Sequence, residues 1–292
     1  MPFNSEKTVH DFAEQSVENR IRGDAIAAIT TSSAKLSPAA LSKILSEKYR
    51  LPKKQIMAIL GELITEGELA YTYQYGSSYL ELSYNRPRKV SRLVVLHPPG
   101  RCVWPGPDEV AVQIQPGASF GDGRHPTTRL AIRGIETVLR YGCCGDFSAC
   151  AKVLDIGCGT GVLVIAAVRL GAASGVGLDL DACARTEAGQ NVRLNALEHR
   201  IEISGRPLEL IRSRFQMVTA NLRYPSLIRL RHQLNLLICP DGVLVISGIR
   251  DFELDELLQI YAEQQWICCW RQFEAGWAGA VLQRRQYRRQ QS

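Results

Sequence analysis

The sequence lacks any long apolar run. Its longest, Val162 to Val168, stops at Arg169, far short of the ~20 residues that carry a helix across a bilayer. A membrane partner is therefore not expected. The first residues, Met1 to Asp11, are polar and hold no apolar core of a secretory leader. Cysteine is present nine times, an odd number, and no two stand in C-x-x-C spacing. The adjacent pairs Cys143-Cys144 and Cys268-Cys269 suit neither a zinc knuckle nor an ordinary disulfide. The expectation is of reduced, mostly buried thiols in a cytoplasmic protein without a resident metal. The grouping of Cys143, Cys144 and Cys150 is the one place where metal or redox chemistry would have to sit. Charge of one sign is also scarce: a net +6 over 292 residues permits an acidic partner and demands none. The densest positive run, Arg284, Arg285, Arg288 and Arg289, reads as a solvated end. What the chain has in quantity is apolar residues, 46%, enough to bury a large core in two domains.

Three regions follow from the patterning. In the first, residues 1–84, Ser37-Pro38 forms a cap and first-turn pair ahead of Leu41, Ile44 and Leu45. Pro52 interrupts. Ile56, Ile59, Leu60, Leu63 and Ile64 then recur at amphipathic-helix spacing, with Gly67 closing the helix. Leu69 to Tyr73 and Tyr79 to Ser83 read as two strands turning at Gly76-Ser77-Ser78. Helix, turn, helix and hairpin resemble a winged-helix module for recognising a substrate or partner. Residues 85–125, broken by Pro87, Pro98-Pro99-Gly100 and Pro105-Gly106-Pro107, read as a connector with short strands at Ser91 to Leu96 and Val110 to Ile114. Residues 126–292 alternate strand and helix patterns. Strands fall at Lys152–Ile156, Gly175–Leu180, Ile201–Ser204, Phe215–Ala220, Val243–Ser247, Trp266–Arg271 and Ala280–Gln283, which implies a mainly parallel sheet covered on both faces.

The strongest chemical signal is the run from Val153 to Gly161, Val-Leu-Asp-Ile-Gly-Cys-Gly-Thr-Gly, leading into an apolar helix. Glycines permit a tight turn and let a ligand lie against bare backbone, and the helix N-terminus offers unpaired N–H groups. The third glycine arrives one residue earlier than in the dinucleotide fingerprint, and Asp155 precedes the first. Both features favour the class I methyltransferase pattern. The next strand ends Gly177-Leu178-Asp179-Leu180-Asp181. An acid there can accept the ribose hydroxyl protons of an adenosine. Asp179 takes that role in this reading, and Asp181 caps the following helix. The fourth strand ends Ala220-Asn221-Leu222, which puts Asn221 at the carboxyl edge of the sheet, where open α/β folds hold ligands.

The segment from Pro116 to Thr128, Pro-Gly-Ala-Ser-Phe-Gly-Asp-Gly-Arg-His-Pro-Thr-Thr, resembles the signature loop of the PrmA family, the bacterial ribosomal protein L-eleven methyltransferases. Thr219 to Leu222 and Ser247 to Ile249 resemble the same family's fourth and fifth strand ends. The similarity runs from about Arg92 to Arg284. It implies an α/β, class I (Rossmann-like) S-adenosylmethionine methyltransferase domain, which here follows the N-terminal, mainly helical, winged-helix-like domain read from the patterning. It also implies methyl transfer from S-adenosylmethionine to a protein amine, a lysine side chain or an N-terminus, with a ribosomal protein as the partner to expect. By resemblance, Phe120, Gly121, Thr127 and Thr128 cover the cofactor, with Thr127 or Thr128 also capping the next helix. Asp155, Gly157, Cys158, Gly159 and Gly161 form its turn, and Asp179, Leu180 and Asn221 complete its contacts. Asn221 and the Leu222 carbonyl are the candidate acceptors for the amine hydrogens, and His125 is a candidate base. The chain departs from the family at Asp122, Ala182 and Gln216, and its N-terminal region does not resemble the family's ferredoxin-like substrate domain.

Two other readings stand beside this one. Winged helices also bind nucleic acid, and Lys53-Lys54 opens the would-be recognition helix, so a nucleic-acid methyltransferase is one alternative. Asn221 is followed by Leu222-Arg223, not by the Pro-Pro-aromatic run usual in amino-methylating DNA enzymes. The other alternative is a non-enzymatic regulator that senses S-adenosylmethionine and binds DNA or a protein.

Overall fold

The computed structural model describes residues 5–284 except 33, 75, 84, 102 and 145–150, with the backbone alone for 5–16. Cys150 and the arginines 285, 288 and 289 singled out above lie outside the described residues. The chain divides into two compact units, Met1–Arg86 and Pro87–Ser292.

The first unit begins with a helix that the sequence patterning did not reveal, α1 (Ser5–Thr31). Among its described side chains, Ile21 and Ala25 are fully buried, and Val17, Ala28 and Ile29 pack partly buried against the same core. Next comes α2 (Pro38–Tyr49). The Ser37 side chain caps it by accepting from the Ala40 N–H, and Pro38 sits in the first turn, as expected. Leu41 and Leu45 face inward, but Ile44 faces solvent. Helix α3 (Lys53–Thr65) buries Ile56, Leu60 and Leu63. The hairpin β1 (Leu69–Gln74) and β2 (Ser77–Leu82) pairs Gln74 with Ser77, so the turn is one step tighter than expected and Ser77 and Ser78 belong to β2. Leu36 adds an isolated bridge to Leu80. Three helices, one rung and a hairpin form around a shared core of Ile21, Leu41, Leu45, Ile56, Leu60, Leu63, Leu69 and Leu80.

In the second unit, the stretch expected as a connector forms a three-stranded sheet in the order β3 (Arg88–Lys89), β4 (Val94–His97) and β5 (Val110–Gln113). Val94, Leu96, Val112 and Ile114 enter the same core cluster as the helices behind the main sheet. Buried apolar side chains make this stretch part of the domain, in spite of its prolines.

The remaining elements are α4 (Pro126–Tyr141), β6 (Lys152–Ile156), α5 (Val162–Arg169), β7 (Ser174–Leu178), α6 (Ala182–Leu194), β8 (Ile201–Ser204), β9 (Phe215–Asn221), α7 (Tyr224–Leu237), β10 (Ile238–Arg250), α8 (Leu254–Ala262), β11 (Trp266–Glu274) and β12 (Trp277–Arg284). Seven strands order as β11-β12-β10-β9-β6-β7-β8. All neighbours from β10 to β8 are parallel, and β12 runs antiparallel to both β10 and β11. Successive strand residues point to opposite faces. Val153, Met217, Val243, Val245 and Val281 meet α4 and α5 on one face. Leu154, Val218, Leu244, Ile246 and Leu282 meet α7 and α8 on the other. The chain proceeds from β6 outward through β7 to β8, then returns to start β9 on β6's other side. That reversal places a crevice at the carboxyl ends of β6 and β9. The first residue of the basic end, Arg284, is no solvated side chain: its guanidinium donates to Asn235 and lies 5.6 Å from the Trp266 ring centroid.

Candidate active site

Three strand ends and one loop build the site. At the end of β6, Asp155 is fully buried. Its Oδ1 accepts from the Thr219 hydroxyl of β9 at 2.7 Å, while Oδ2 has no hydrogen-bond partner. Burial pushes its carboxyl up to about 7, against the pull of the Thr219 hydrogen bond. The turn that follows sits left-handed at Gly157, Gly159 and Gly161, with φ of 70, 53 and 77°, a conformation that disfavours any residue with a Cβ. Helix α5 then starts with no side-chain cap. Cys158 is buried, and burial drives its thiol well above the ordinary range, which makes it a packing group with no nucleophilic role.

At the end of β7 the two aspartates divide their work. Asp179 accepts from the Gly159 N–H at 2.9 Å and the Asp181 N–H at 3.0 Å. Asp181 caps α6 by accepting from the Cys183 N–H, as the sequence suggested. Leu180 between them is 80% exposed and so offers an open apolar wall. At the end of β9, the side-chain oxygen of Asn221 is buried with no partner. Leu222 donates its N–H to Ser247. A Cβ on Gly248 would stand 2.5 Å from the Leu222 carbonyl oxygen, so Gly248, at φ 89°, makes room for that peptide.

The loop before α4 lies over the glycine turn. The Thr160 N–H donates to Phe120 O and the Thr160 hydroxyl to Gly121 O, both at 3.0 Å. A Cβ on Gly159 would come within 2.3 Å of Phe120 O. Sequence reasoning missed the groups that hold this loop down. Glu187 accepts from the Ala118 and Ser119 N–H groups at 3.0 Å each. Asn191 accepts from the Gln115 N–H and donates to Thr160 O, both at 2.9 Å. Asn195 both accepts from and donates to Gln113. A signal was available: Asn191 lies on the buried stripe of α6 with Ala184, Ala188 and Val192, and Asn195 is its buried C-cap, and a polar group on a core face must find a partner.

The cap of α4 is a correction. Neither Thr127 nor Thr128 provides it; His125 does, its Nδ1 accepting from the Thr127 N–H at 3.3 Å. The same nitrogen stands 2.8 Å from the Thr127 hydroxyl, so Nδ1 is engaged within the loop. Burial, reinforced by the charges of Arg129 and Arg250, holds His125 below its ordinary pKa. Thr127 and Thr128 are buried behind it, and the Thr128 hydroxyl has no partner. His125 also stands in an aromatic row that sequence reasoning missed, 5.2 Å from the Phe120 ring and 4.8 Å from the Trp277 ring. The Arg250 guanidinium lies 4.0 Å from the Trp277 centroid. Arg129 fixes the loop's exit by donating to Gly123 O at 3.1 Å and to Glu274.

The site therefore gathers Phe120, Gly121, Asp155, Gly157, Cys158, Gly159, Gly161, Asp179 and Asn221 at one edge of the sheet. Among the described residues no group of three His, Cys, Asp or Glu side chains can hold a metal ion, and no helix is long and apolar enough to cross a membrane.

Comparison with known proteins places this geometry. A family model described as Ribosomal protein L11 methyltransferase (PrmA) matches residues 79–285. A protein named Ribosomal protein L11 methyltransferase from Geobacter sulfurreducens is 39% identical over 163 residues, 56% of this chain and 51% of that protein. One of the same name from Heliobacterium modesticaldum is 32% identical over 227 residues, 77% of this chain and 67% of that protein. The crystal structure of a ribosomal protein L11 methylase from Lactobacillus delbrueckii subsp. bulgaricus superimposes with a TM-score of 0.61 at 28% identity, over 68% of this chain and 99% of that one. The first relatives are matched over 51 to 63% of their own length. The match begins near the hairpin of the first unit and takes in the whole crevice, and on it the chain belongs to the ribosomal protein L11 methyltransferase (PrmA) family.

Proposed function

We propose that this chain transfers a methyl group from S-adenosylmethionine to an amine of a protein, a lysine side chain or an N-terminus, with a ribosomal protein as the acceptor. The observation that carries the reading is Asn221. Its side-chain oxygen is buried and unpartnered at the carboxyl end of β9, and a buried acceptor without a partner costs free energy unless a ligand supplies one. The residues fit the cofactor. Asp155 Oδ2 on the neighbouring strand and the Thr128 hydroxyl on the covering loop are likewise buried and unpartnered. Asp179 carries a carboxylate at the next strand end. Phe120, Gly121, Thr127 and Thr128 would cover the group, Asp155, Gly157, Cys158, Gly159 and Gly161 would line its turn, and Asp179 and Leu180 would hold its ribose and base end. When bound, it supplies an electrophilic methyl on a sulfonium whose departure as a neutral thioether needs no acid.

The chain's own residues then have two tasks. The first is alignment. Asn221 Oδ1 and the Leu222 carbonyl accept the hydrogens of the amine and aim its lone pair, and alignment of bound reactants lowers barriers by up to ~7–11 kcal/mol in well-oriented systems. The second is to favour the neutral amine. A lysine starts near pKa ~10.4, and a crevice covered by the Phe120 to Thr128 segment lowers that by desolvation. His125, with Nδ1 engaged as a cap, positions the covering loop, and its neutral ring adds no positive charge beside the amine. The first unit, with Lys53 and Lys54 exposed on α3, is assigned to recognition of the acceptor or of nucleic acid bound to it. On this reading the enzyme works in the cytoplasm, where ribosomal proteins are made.

The test is labelled-methyl transfer to purified ribosomal proteins, with Asn221→Ala beside the unaltered chain. We expect the substitution to lower single-turnover transfer by roughly tenfold to a thousandfold, as for removal of one positioned hydrogen-bonding group. Its affinity for S-adenosylhomocysteine should change much less. Near-normal turnover would remove Asn221 from the mechanism. Label found in RNA or DNA with none in protein would overturn the acceptor class.

A further inference from the structure

Strand β7 ends at Leu178, and residues 179–181 carry the chain from it into α6. The Asp179 N–H still donates to Ser204 O of β8, at 3.2 Å. Beyond it, among the described residues, no backbone N–H reaches the Asp179 or Leu180 carbonyl. One side chain serves both. Arg185, in the first turns of α6, donates from Nη1 to Asp179 O and to Leu180 O, each at 2.9 Å. A helical side chain leans toward the N-terminus of its own helix, which brings this residue back over the strand end. The position is a poor one for a cation, because it lies near the positive end of the helix dipole. Two charge-assisted hydrogen bonds from one nitrogen offset that cost.

The guanidinium also has a seat shaped for it. Gly205 follows β8, and a Cβ built on it would stand 2.9 Å from Arg185 Cζ and 3.0 Å from Nε and Nη1. Gly205 is exposed and its φ is not left-handed, so its own backbone does not call for glycine. What a methyl group would displace there is the guanidinium. Arg185 thereby ties the start of α6 and the end of β7 to the turn after β8. The peptide it holds is the one that presents Asp179, whose carboxylate is itself aimed by the Gly159 and Asp181 N–H groups at 2.9 and 3.0 Å.

We propose that Arg185 is a positioning residue of the cofactor site: by holding the Asp179 and Leu180 carbonyls, it sets the direction in which the Asp179 carboxylate is presented to the ribose hydroxyls. The inference rests on the S-adenosylmethionine reading and adds to it a residue that acts through Asp179. Without the guanidinium, residues 179–181 have to be ordered when the cofactor binds, and that ordering is subtracted from affinity. Hydrogen bonds to the ribose depend on direction, so the loss falls on ligands that carry the ribose hydroxyls.

The test is calorimetry on the full-length chain with two ligands, S-adenosylhomocysteine and its analogue lacking both ribose hydroxyls. The variants are Arg185→Ala, Asp179→Ala, the two combined, and Gly205→Ala. Arg185→Ala should weaken S-adenosylhomocysteine by roughly fivefold to thirtyfold and the analogue by less than about twofold. In the Asp179→Ala background it should add less than about twofold, because the two residues act as one unit. Gly205→Ala keeps the arginine but fills its seat, and should give the same pattern at roughly twofold to fivefold; it carries the test should Arg185→Ala not fold. Without any ligand, hydrogen exchange at the Asp181 N–H, which the Asp179 carboxylate accepts, should rise at least about threefold in Arg185→Ala. The proposal is overturned if Arg185→Ala binds S-adenosylhomocysteine as the parent does, if both ligands weaken equally, if the losses of Arg185→Ala and Asp179→Ala add, or if exchange at Asp181 is unchanged. A parent chain that binds neither ligand, or both equally well, would overturn the cofactor or ribose reading itself, and this inference with it.

Discussion

Asp155→Asn isolates the electrostatic cost that the second unit carries at its crevice. The carboxyl is 0% exposed, one oxygen is bound only by the Thr219 hydroxyl at 2.7 Å, and its pKa is raised to about 7 from 3.8. In the unfolded chain the same group titrates near ~3.9. An acid with a folded-state pKa above its unfolded value keeps its proton in the native state after the unfolded chain has lost it. Stability therefore falls as pH rises from about 4 to about 7, and levels off above. At ~1.36 kcal/mol per pKa unit, the shift sets an upper bound of about 4 kcal/mol. Asparagine keeps the Thr219 bond through its carbonyl oxygen but places an NH2 group where Oδ2 had no partner, which costs about 1 kcal/mol or more. The variant should then be slightly less stable than the parent at pH 4.5 and more stable at pH 8 by on the order of 2–3 kcal/mol, or about 5–10 °C in Tm for a unit of this size. Scanning calorimetry of both proteins from pH 4.5 to 8.5 gives a difference curve in which other titrations cancel. A flat curve, or a variant that is the less stable one at pH 8, would show that Asp155 is not held protonated by burial.

Three further outcomes are expected. Asp179→Ala should weaken S-adenosylhomocysteine binding by roughly tenfold to a hundredfold, whereas Asp181→Ala, a lost cap, should cost ~1 kcal/mol of stability and leave binding within about twofold; calorimetry that finds the two phenotypes exchanged would refute the assignment. Gly159→Ala puts a Cβ 2.3 Å from Phe120 O and should lift the covering loop, seen as faster tryptic cleavage at Arg124 with an intact fold; unaltered cleavage would mean that the loop does not rest on the turn. Although burial pushes it up, the Ser119 and Ala118 N–H groups hold Glu187 below its usual pKa, so its tether is complete above the ordinary glutamate range and is lost as pH falls through the lowered value. Hydrogen exchange at Ala118 and Ser119 should then accelerate, beyond its intrinsic pH dependence, only below the ordinary glutamate range, and Glu187→Gln should abolish that acid step.

The sequence by itself determined the features that local geometry controls. The glycine turn after β6 was legible because three left-handed positions within five residues admit little else. The Ser37 and Asp181 caps were legible because a cap is a contact over two or three residues. Alternating Val and Leu marked the strands because both faces of the sheet are covered. Tertiary structure decided what depends on which surfaces meet. Helix α1 escaped notice because its described inward side chains, Val17, Ile21, Ala25, Ala28 and Ile29, are mostly small, and the core they enter exists only once α2 and α3 pack on them. Residues 85–125 read as a connector because their prolines are visible locally, while the burial of Val94, Leu96 and Val112 is not. The α4 cap fell to His125, not to a threonine, because the ring is also held between Phe120 and Trp277, from segments far apart in the chain. Glu187, Asn191 and Asn195 found their loop partners only when the chain closed over 69 to 82 residues. Periodicity and turn chemistry carry no information about such pairings, because the free energy that selects them comes from the assembled core.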